Sequence, residues 1–368
     1  MGLSIELANI ATLKEMLKDS IKNNKVDAIL GLFWDEDRNS VSYAMTKNVE
    51  NLDRLEILCP SMPVQGARVI SNIKFTETPL KVLCIIKPCE MRAVVELIKL
   101  KQIMPEKLIF LSMDCGGAVE PEKFLELNRS GKNIVNDYLS NYDSFMDFSM
   151  NTENNRFACS VCDKCVPNVS DLRLRAYGKT KYLEAISEKG KVFLNEIANE
   201  QLRDIDFALY DESLKKIIDN RKINRDRERE IFKKEVNSME SFTKELSACI
   251  RCHNCMVNCP ADYCKECIFR SPVFDHPSEN YELWLERKGM IKLPTDTLLF
   301  HLTRLNHMST SCVSCGMCET SCPMGIRLTR IFSFIGEETQ KIFDYEAGRS
   351  LTEELPVATF REKELEKV

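Results

Sequence analysis

Eight of the seventeen cysteines stand in two runs of identical pattern. The first is Cys249-x2-Cys252-x2-Cys255-x3-Cys259-Pro260, and the second is Cys312-x2-Cys315-x2-Cys318-x3-Cys322-Pro323. Three thiolates at three-residue intervals can converge on one cubane as the loop wraps around it. The fourth, four residues on, begins a helix that points away and reaches a second cubane. The sets expected are therefore crossed. Cys249, Cys252, Cys255 and Cys322 would hold one [4Fe-4S] cluster, and Cys312, Cys315, Cys318 and Cys259 the other. Structural zinc is the competing reading, but zinc commonly takes two separated pairs of ligands. It does not account for the same offsets and the same proline appearing twice.

A third group, Cys159-x2-Cys162-x2-Cys165, ends in Val166-Pro167 with no cysteine at the fourth offset. Its fourth ligand must come from elsewhere, and Cys115 and Cys89 are the candidates. Two glycines follow Cys115 and let the backbone come close to a cluster. Cys89 follows a proline at an expected helix start, where the dipole favours thiolate. Five thiols for four places leave one spare. A third [4Fe-4S] cluster is expected here, and zinc, held by three cysteines and one distant ligand, is the alternative. His253 stands inside the first cysteine loop where the second has Gly316, so the two clusters are expected to differ in potential unless His253 points to solvent. Cys264-x2-Cys267 has no second pair nearby and reads as buried free thiols. Cys59 and Cys84 read as core thiols.

The elements that must position these groups follow from the apolar pattern. Leu13–Ile21 has helical spacing. Val26–Phe33, Val82–Ile86 and Lys107–Met113 are apolar runs suited to buried strands. Pro88 opens an expected helix, Cys89–Leu100. Strand, helix and strand at this spacing form a βαβ unit in a parallel sheet, with ligand sites beyond the strand C-termini. Cys89 and Cys115 both fall on that edge. Residues 179–247 lack proline and are dense in Lys, Arg, Glu, Ile and Leu, a helix composition. The charged run Arg221–Glu230 reads as a solvated helix face. The division expected is an α/β domain over 1–178 carrying the third cluster, a helical linker region over 179–247, a mainly helical ferredoxin-like two-cluster module over 248–340, and a tail over 341–368. The 52 residues between the two runs, Pro260 to Ser311, exceed the spacer of a small ferredoxin and suggest a module built into a larger redox complex.

Composition narrows the function classes. A net charge of -5 argues against a nucleic-acid or anionic-membrane partner. No apolar run reaches the length of a membrane span, and Met1–Ile10 lacks the pattern of a secretory signal. A cytoplasmic location is expected, where disulfides are disfavoured and clustered cysteines read as metal ligands. GxGxxG, Walker A, HExxH and GxSxG are all missing from the sequence, so nicotinamide, P-loop and hydrolase chemistry are unsupported. The four histidines are scattered and read as structural.

Together these groups resemble the beta subunits of deazaflavin-coenzyme hydrogenases and formate dehydrogenases. The matching residues are Lys87-Pro88-Cys89-Glu90-Met91-Arg92-Ala93, Asp114-Cys115-Gly116-Gly117, and the 159–165 run followed by Val169-Ser170-Asp171-Leu172. The C-terminal half, through Asp262–Cys267 and Pro294–Leu302, looks like a dicluster extension. The resemblance implies an electron-transferring subunit beside a formate dehydrogenase, a hydrogenase or a heterodisulfide reductase-type complex. It also implies an N-terminal [4Fe-4S] cluster and, in many members, FAD that exchanges hydride with the deazaflavin. Two functions follow: an electron relay without substrate chemistry, or an FAD oxidoreductase fed by the clusters. A structural zinc protein is the weaker alternative.

Overall fold

A computed structural model describes residues 3–73, 80–130, 135, 142–151, 155–198, 202, 203, 205, 207–291 and 294–360. Seven strands among them form one sheet in the order β1-β7-β6-β5-β4-β2-β3. They are β1 (Ser4–Leu7), β2 (Ala28–Asp35), β3 (Ser40–Thr46), β4 (Val82–Ile86), β5 (Leu108–Met113), β6 (Leu172–Arg175) and β7 (Lys181–Ala185). The helices used below are α1 (Ile10–Lys22), α2 (Gly66–Asn72), α3 (Pro88–Lys99), α4 (Pro121–Arg129), α5 (Tyr142–Met150), α6 (Phe157–Ser160), α7 (Glu188–Ile197) and α8 (Ala208–Glu235). They continue with α9 (Met239–Glu245), α10 (Asn254–Val257), α11 (Ser278–Lys288), α12 (Thr297–Met308), α13 (Met317–Thr320) and α14 (Leu328–Ile342).

The centre of the sheet is parallel, β2 to β4 to β5 to β6, and its margins are antiparallel. Every residue of β4 and β5 is buried, as the continuous apolar runs require of strands covered on both faces. One face packs against α1, α7 and α8 through Leu13, Leu17, Phe193 and Ile217. The other packs against α2 and α3 through Ile70, Met91, Val94 and Leu97. The α/β expectation and the β4-α3-β5 unit are both present. Register then does something specific. Ile86 pairs with Ser112, so Cys89 and Cys115 each lie three residues beyond the same rung.

Two features depart from the sequence reading. Strand β7 lies in the stretch read as helical linker, and the sheet runs past residue 178. Its sequence, KYLEA, has Lys and Glu that suit a helix. It is a strand because Leu183 pairs with Leu174 in the core and Glu184 meets Arg175 at 2.8 Å. The charged run Arg221–Glu230 is not simply a solvated face. Arg221 is 1% exposed, and Arg225 pairs with Asp163 at 2.8 Å.

The second half gathers around Phe232, Phe300, Ile331, Phe332 and Phe334, which join α8, α12 and α14. The chain then returns to the α/β unit. Buried Glu96 of α3 accepts hydrogen bonds from Tyr345 Oη at 2.6 Å and Gly348 N at 2.8 Å, with Lys99 Nζ at 2.9 Å. The tail through Leu355 thus packs rather than trails, while 361–368 lie outside the described residues. Removing a partner from a buried ion pair leaves an uncompensated charge. Glu96→Ala is expected to destabilise the fold by about 3–5 kcal/mol. The check is chemical denaturation of the anaerobically purified chain, with limited proteolysis expected to cut first beyond Phe343.

Candidate metal centre

Both ferredoxin runs build the same loop. The second and fourth residues after the first cysteine take left-handed backbone in each: Arg251 (φ 53°) and His253 (φ 61°), then Ser314 (φ 56°) and Gly316 (φ 73°). Side chains other than glycine pay roughly 1–2 kcal/mol for such a φ. That cost is carried at matching places in both runs because it curls the loop inward. Short helices α10 and α13 follow directly. Within the first loop Arg251 N donates to Cys249 Sγ at 3.3 Å, and the Arg251 side chain pairs with Asp296.

The fourth cysteine of each run lies with the first three of the other. Cys259, Cys312, Cys315 and Cys318 line one cavity. Cys252 and Cys322 both bear electrostatically on the thiols of Cys249 and Cys255, which groups those four. Burial pushes the free thiols up, Cys312 and Cys255 to about 11 and Cys315 to about 12. Cys252 is the exposed member of the first set.

The third cavity collects all five expected thiols, Cys89, Cys115, Cys159, Cys162 and Cys165, so the spare remains. Its loops are tied below the thiols. Cys115 N donates to Cys165 O at 2.9 Å, and Tyr177 Oη donates to Cys115 O at 2.5 Å. Fully buried Asp114 accepts from Arg173, from Tyr210 Oη and from Ala176 N. Arg221 of α8 donates to the carbonyls of Cys115, Cys162, Gly116 and Ser149. Burial, then the charges of Glu90 and Cys115, push the free Cys89 thiol well up. Its Sγ lies 3.9 Å from Met62 Sδ.

Ser314 and Cys315 line the second cavity and the third alike. The close approach depends on Gly316, where a Cβ would sit 2.4 Å from Ala158 Cβ. At the matching place in the first loop His253 stacks on Phe300, centroids 4.8 Å apart. Among the other thiols, Cys59 and Cys84 are core groups pushed up to about 12 by burial. Cys267 is half-buried, its Sγ 3.6 Å from Met256 Sδ, whereas Cys264 is exposed rather than buried.

Sequence reasoning missed the groups around the thiols. His301 Nε2 lies 3.4 Å from Cys249 Sγ, and burial with the Arg304 charge pulls its pKa down to about 4. Arg156, 2% exposed, reaches Thr320 Oγ1 at 2.6 Å across the module boundary. His301 lies 52 residues from Cys249 and Arg156 lies 164 from Thr320 along the chain, so no spacing rule could find these contacts.

Residues 80–208 match the family model for the C terminus of the coenzyme F420 hydrogenase/dehydrogenase beta subunit, and residues 245–326 match the 4Fe-4S dicluster domain. The chain is 29% identical over 276 residues to the F420-dependent formate dehydrogenase subunit beta of Methanocaldococcus jannaschii, covering 67% of this chain and 68% of that protein. It is 26% identical over 301 residues to the F420-dependent formate dehydrogenase 1 subunit beta of Methanococcus maripaludis, covering 73% of each. A chain of the F420-reducing [NiFe] hydrogenase complex from Methanosarcina barkeri is similar in structure at 10% identity and a TM-score of 0.44, over 65% of this chain and 93% of that one. The resemblance read from the motifs is thereby shown, and the chain is an iron–sulfur electron-transfer protein. No helix among the described residues is long and apolar enough to cross a membrane.

The contrast between Gly316 and His253 gives a test. Gly316→His should push the second loop off Ala158 and destabilise the chain by about 1–3 kcal/mol. His253→Gly loses the Phe300 stack but sheds the cost of a side chain on left-handed backbone, so the two offset and stability should change by less than about 1 kcal/mol. Thermal unfolding of the two variants side by side reads the difference.

Proposed function

We propose that this chain is the electron-relay subunit of a formate dehydrogenase or hydrogenase-type complex. Its thiols would hold three [4Fe-4S] clusters in a line. The observation that carries the reading is the wall shared by two cavities, Ser314 and Cys315. With the crossed sets, that wall supports a series in which electrons would pass between the module and the α/β domain. The thiols fit clusters better than single ions. Among the described residues no group of three or more His, Cys, Asp or Glu converges on one metal ion, whereas the cysteines ring cavities.

The clusters would supply one-electron transfer, and the chain's own residues prepare the sites. Cys249, Cys252, Cys255 and Cys322 would hold the first, and Cys252 brings that site to the surface, where a partner can exchange electrons. Cys312, Cys315, Cys318 and Cys259 would hold the second. Cys159, Cys162 and Cys165 would hold the third with Cys115 or Cys89. Arg251 N and His301 meet the sulfur of Cys249, and Arg221 holds the loops of the third site. The partner at the α/β end would be the catalytic protein or another redox centre of the complex.

A flavin at the C-terminal edge of the parallel strands would compete for space that the module fills. Met62, Ala118 and Met317 are buried together there beside Cys89, Cys159 and Cys315. This favours the relay over an FAD oxidoreductase acting on the deazaflavin.

Anaerobic purification tests the reading. About twelve irons per chain are expected for three four-iron clusters. About eight irons with one zinc would overturn the third cluster. A flavin released on denaturation, with reduction of the deazaflavin by the isolated chain, would overturn the pure relay. Cys89→Ser and Cys115→Ser separate the ligand from the spare thiol: one variant should keep its full iron content, and the other should lose the EPR signal of one cluster.

A further inference from the structure

Helix α12 belongs to the long insertion between the two cysteine runs, and its Arg304 is 3% exposed. The guanidinium stands between the two ferredoxin sites. Its Nη1 donates to Cys255 Sγ at 3.2 Å and its Nη2 to Cys255 O at 3.0 Å, which ties it to the first set. The same side chain lines the cavity of Cys259, Cys312, Cys315 and Cys318, the second set. Phe332 covers one face, its ring centroid 4.6 Å from Cζ. Asp262 is the nearest carboxylate, its Oδ2 3.9 Å from Nε, and Nε itself has no hydrogen-bond partner.

A guanidinium out of water costs several kcal/mol unless other charges compensate it. One carboxylate at 3.9 Å and one carbonyl fall short of that. With clusters bound, the ligating thiolates on both sides would supply the rest. The Arg304 charge acts against burial on the thiols of Cys255, Cys259 and Cys318, members of both sets.

We infer that Arg304 is a fixed buried cation shared by the two ferredoxin clusters, placed there by the insertion, that raises the reduction potential of both. The inference rests on the two-cluster reading of the cysteine runs. Reduction adds one negative charge to a cluster. A cation held close in a water-poor interior stabilises that added charge more than the oxidised state, so the potential rises. Hydrogen bonds and charges just outside the ligands are the usual means of tuning such a centre. His301 differs in reach, since it touches Cys249 of the first set only. The arrangement gives the insertion a task that a short ferredoxin spacer could not perform. It links the potentials of two centres through one side chain, so they move together.

The test is an EPR-monitored redox titration of the full chain with its clusters in place. Arg304→Gln is expected to shift both ferredoxin midpoints to more negative potential, while the third centre keeps its midpoint and serves as the internal reference. Arg304→Lys retains the charge and should recover most of the shift. Asp262→Asn leaves the cation and removes its counter-charge, so it should move both midpoints the opposite way. If Arg304→Gln loses iron, Arg304→Met, which keeps the volume without the charge, takes its place in the titration. Midpoints unchanged in iron-replete variants, or a shift in one ferredoxin centre only, overturn the inference. A parent chain without two ferredoxin-type EPR signals overturns the underlying reading instead.

Discussion

The seating of one loop, Ser314–Met317, against the third cysteine run is the contact on which the molecule depends. It works because the loop presents no side chain at Gly316, where a Cβ would meet Ala158 Cβ at 2.4 Å. Around it the contact is sealed by buried Met62, Ala118 and Met317. Arg156 then pins the loop by donating to Thr320 Oγ1 at 2.6 Å, and Thr320 Oγ1 in turn donates to Glu120 Oε2 at 3.0 Å. Lose this seating and two cavities no longer share a wall. The α/β unit and the module would then be neighbours whose cysteine sites no longer adjoin.

Cysteine loops set a second physical problem. They follow strands and short helices, so their carbonyls have no ladder to join, and a buried carbonyl without a donor is costly. Arginines answer it. Arg221 serves four carbonyls around the third site, and Arg304 serves Cys255 O. Each also places a positive charge where cysteine thiols gather. This explains a helix that composition makes look like a linker. Helix α8 runs from the sheet core at Ile217, past Arg221 under the third site, to Phe232 in the module core. Its outward charges keep it solvated, and its inward arginines hold the cysteine loops in place.

Much of this was legible in the residues. The paired runs repeat offsets that only a cluster loop explains, and β4, α3 and β5 stand out because apolar runs and Pro88 mark them. The convergence of Cys89 and Cys115 followed from two strands ending at one edge. Strand β7 was hidden, because five residues of mixed Lys, Tyr, Leu, Glu and Ala carry no periodicity strong enough to choose strand over helix. Arg221 was hidden for a related reason. Within a charged helix one buried arginine looks like its solvated neighbours, and only the fold shows which face turns inward. The burial that pushes the free Cys89 thiol up is likewise a property of the fold and not of its neighbours in sequence.

The C-terminal edge of a parallel sheet is where α/β proteins hold their ligands, since strand ends and helix starts leave a crevice there. In this chain the crevice is not open. Loops after β4 and β5 fill it with Cys89 and Cys115, the third run closes over them, and the second ferredoxin loop packs on top. The tail fastens the cover from another side, with Tyr345 and Gly348 on Glu96 of α3, the helix that carries Cys89 in its first turn. The module therefore packs at the edge where other sheets of this kind hold a small ligand. A free ferredoxin must expose its centres to many partners. Here one face of the module is committed to the α/β unit, and the exposed Cys252 belongs to the other cysteine set.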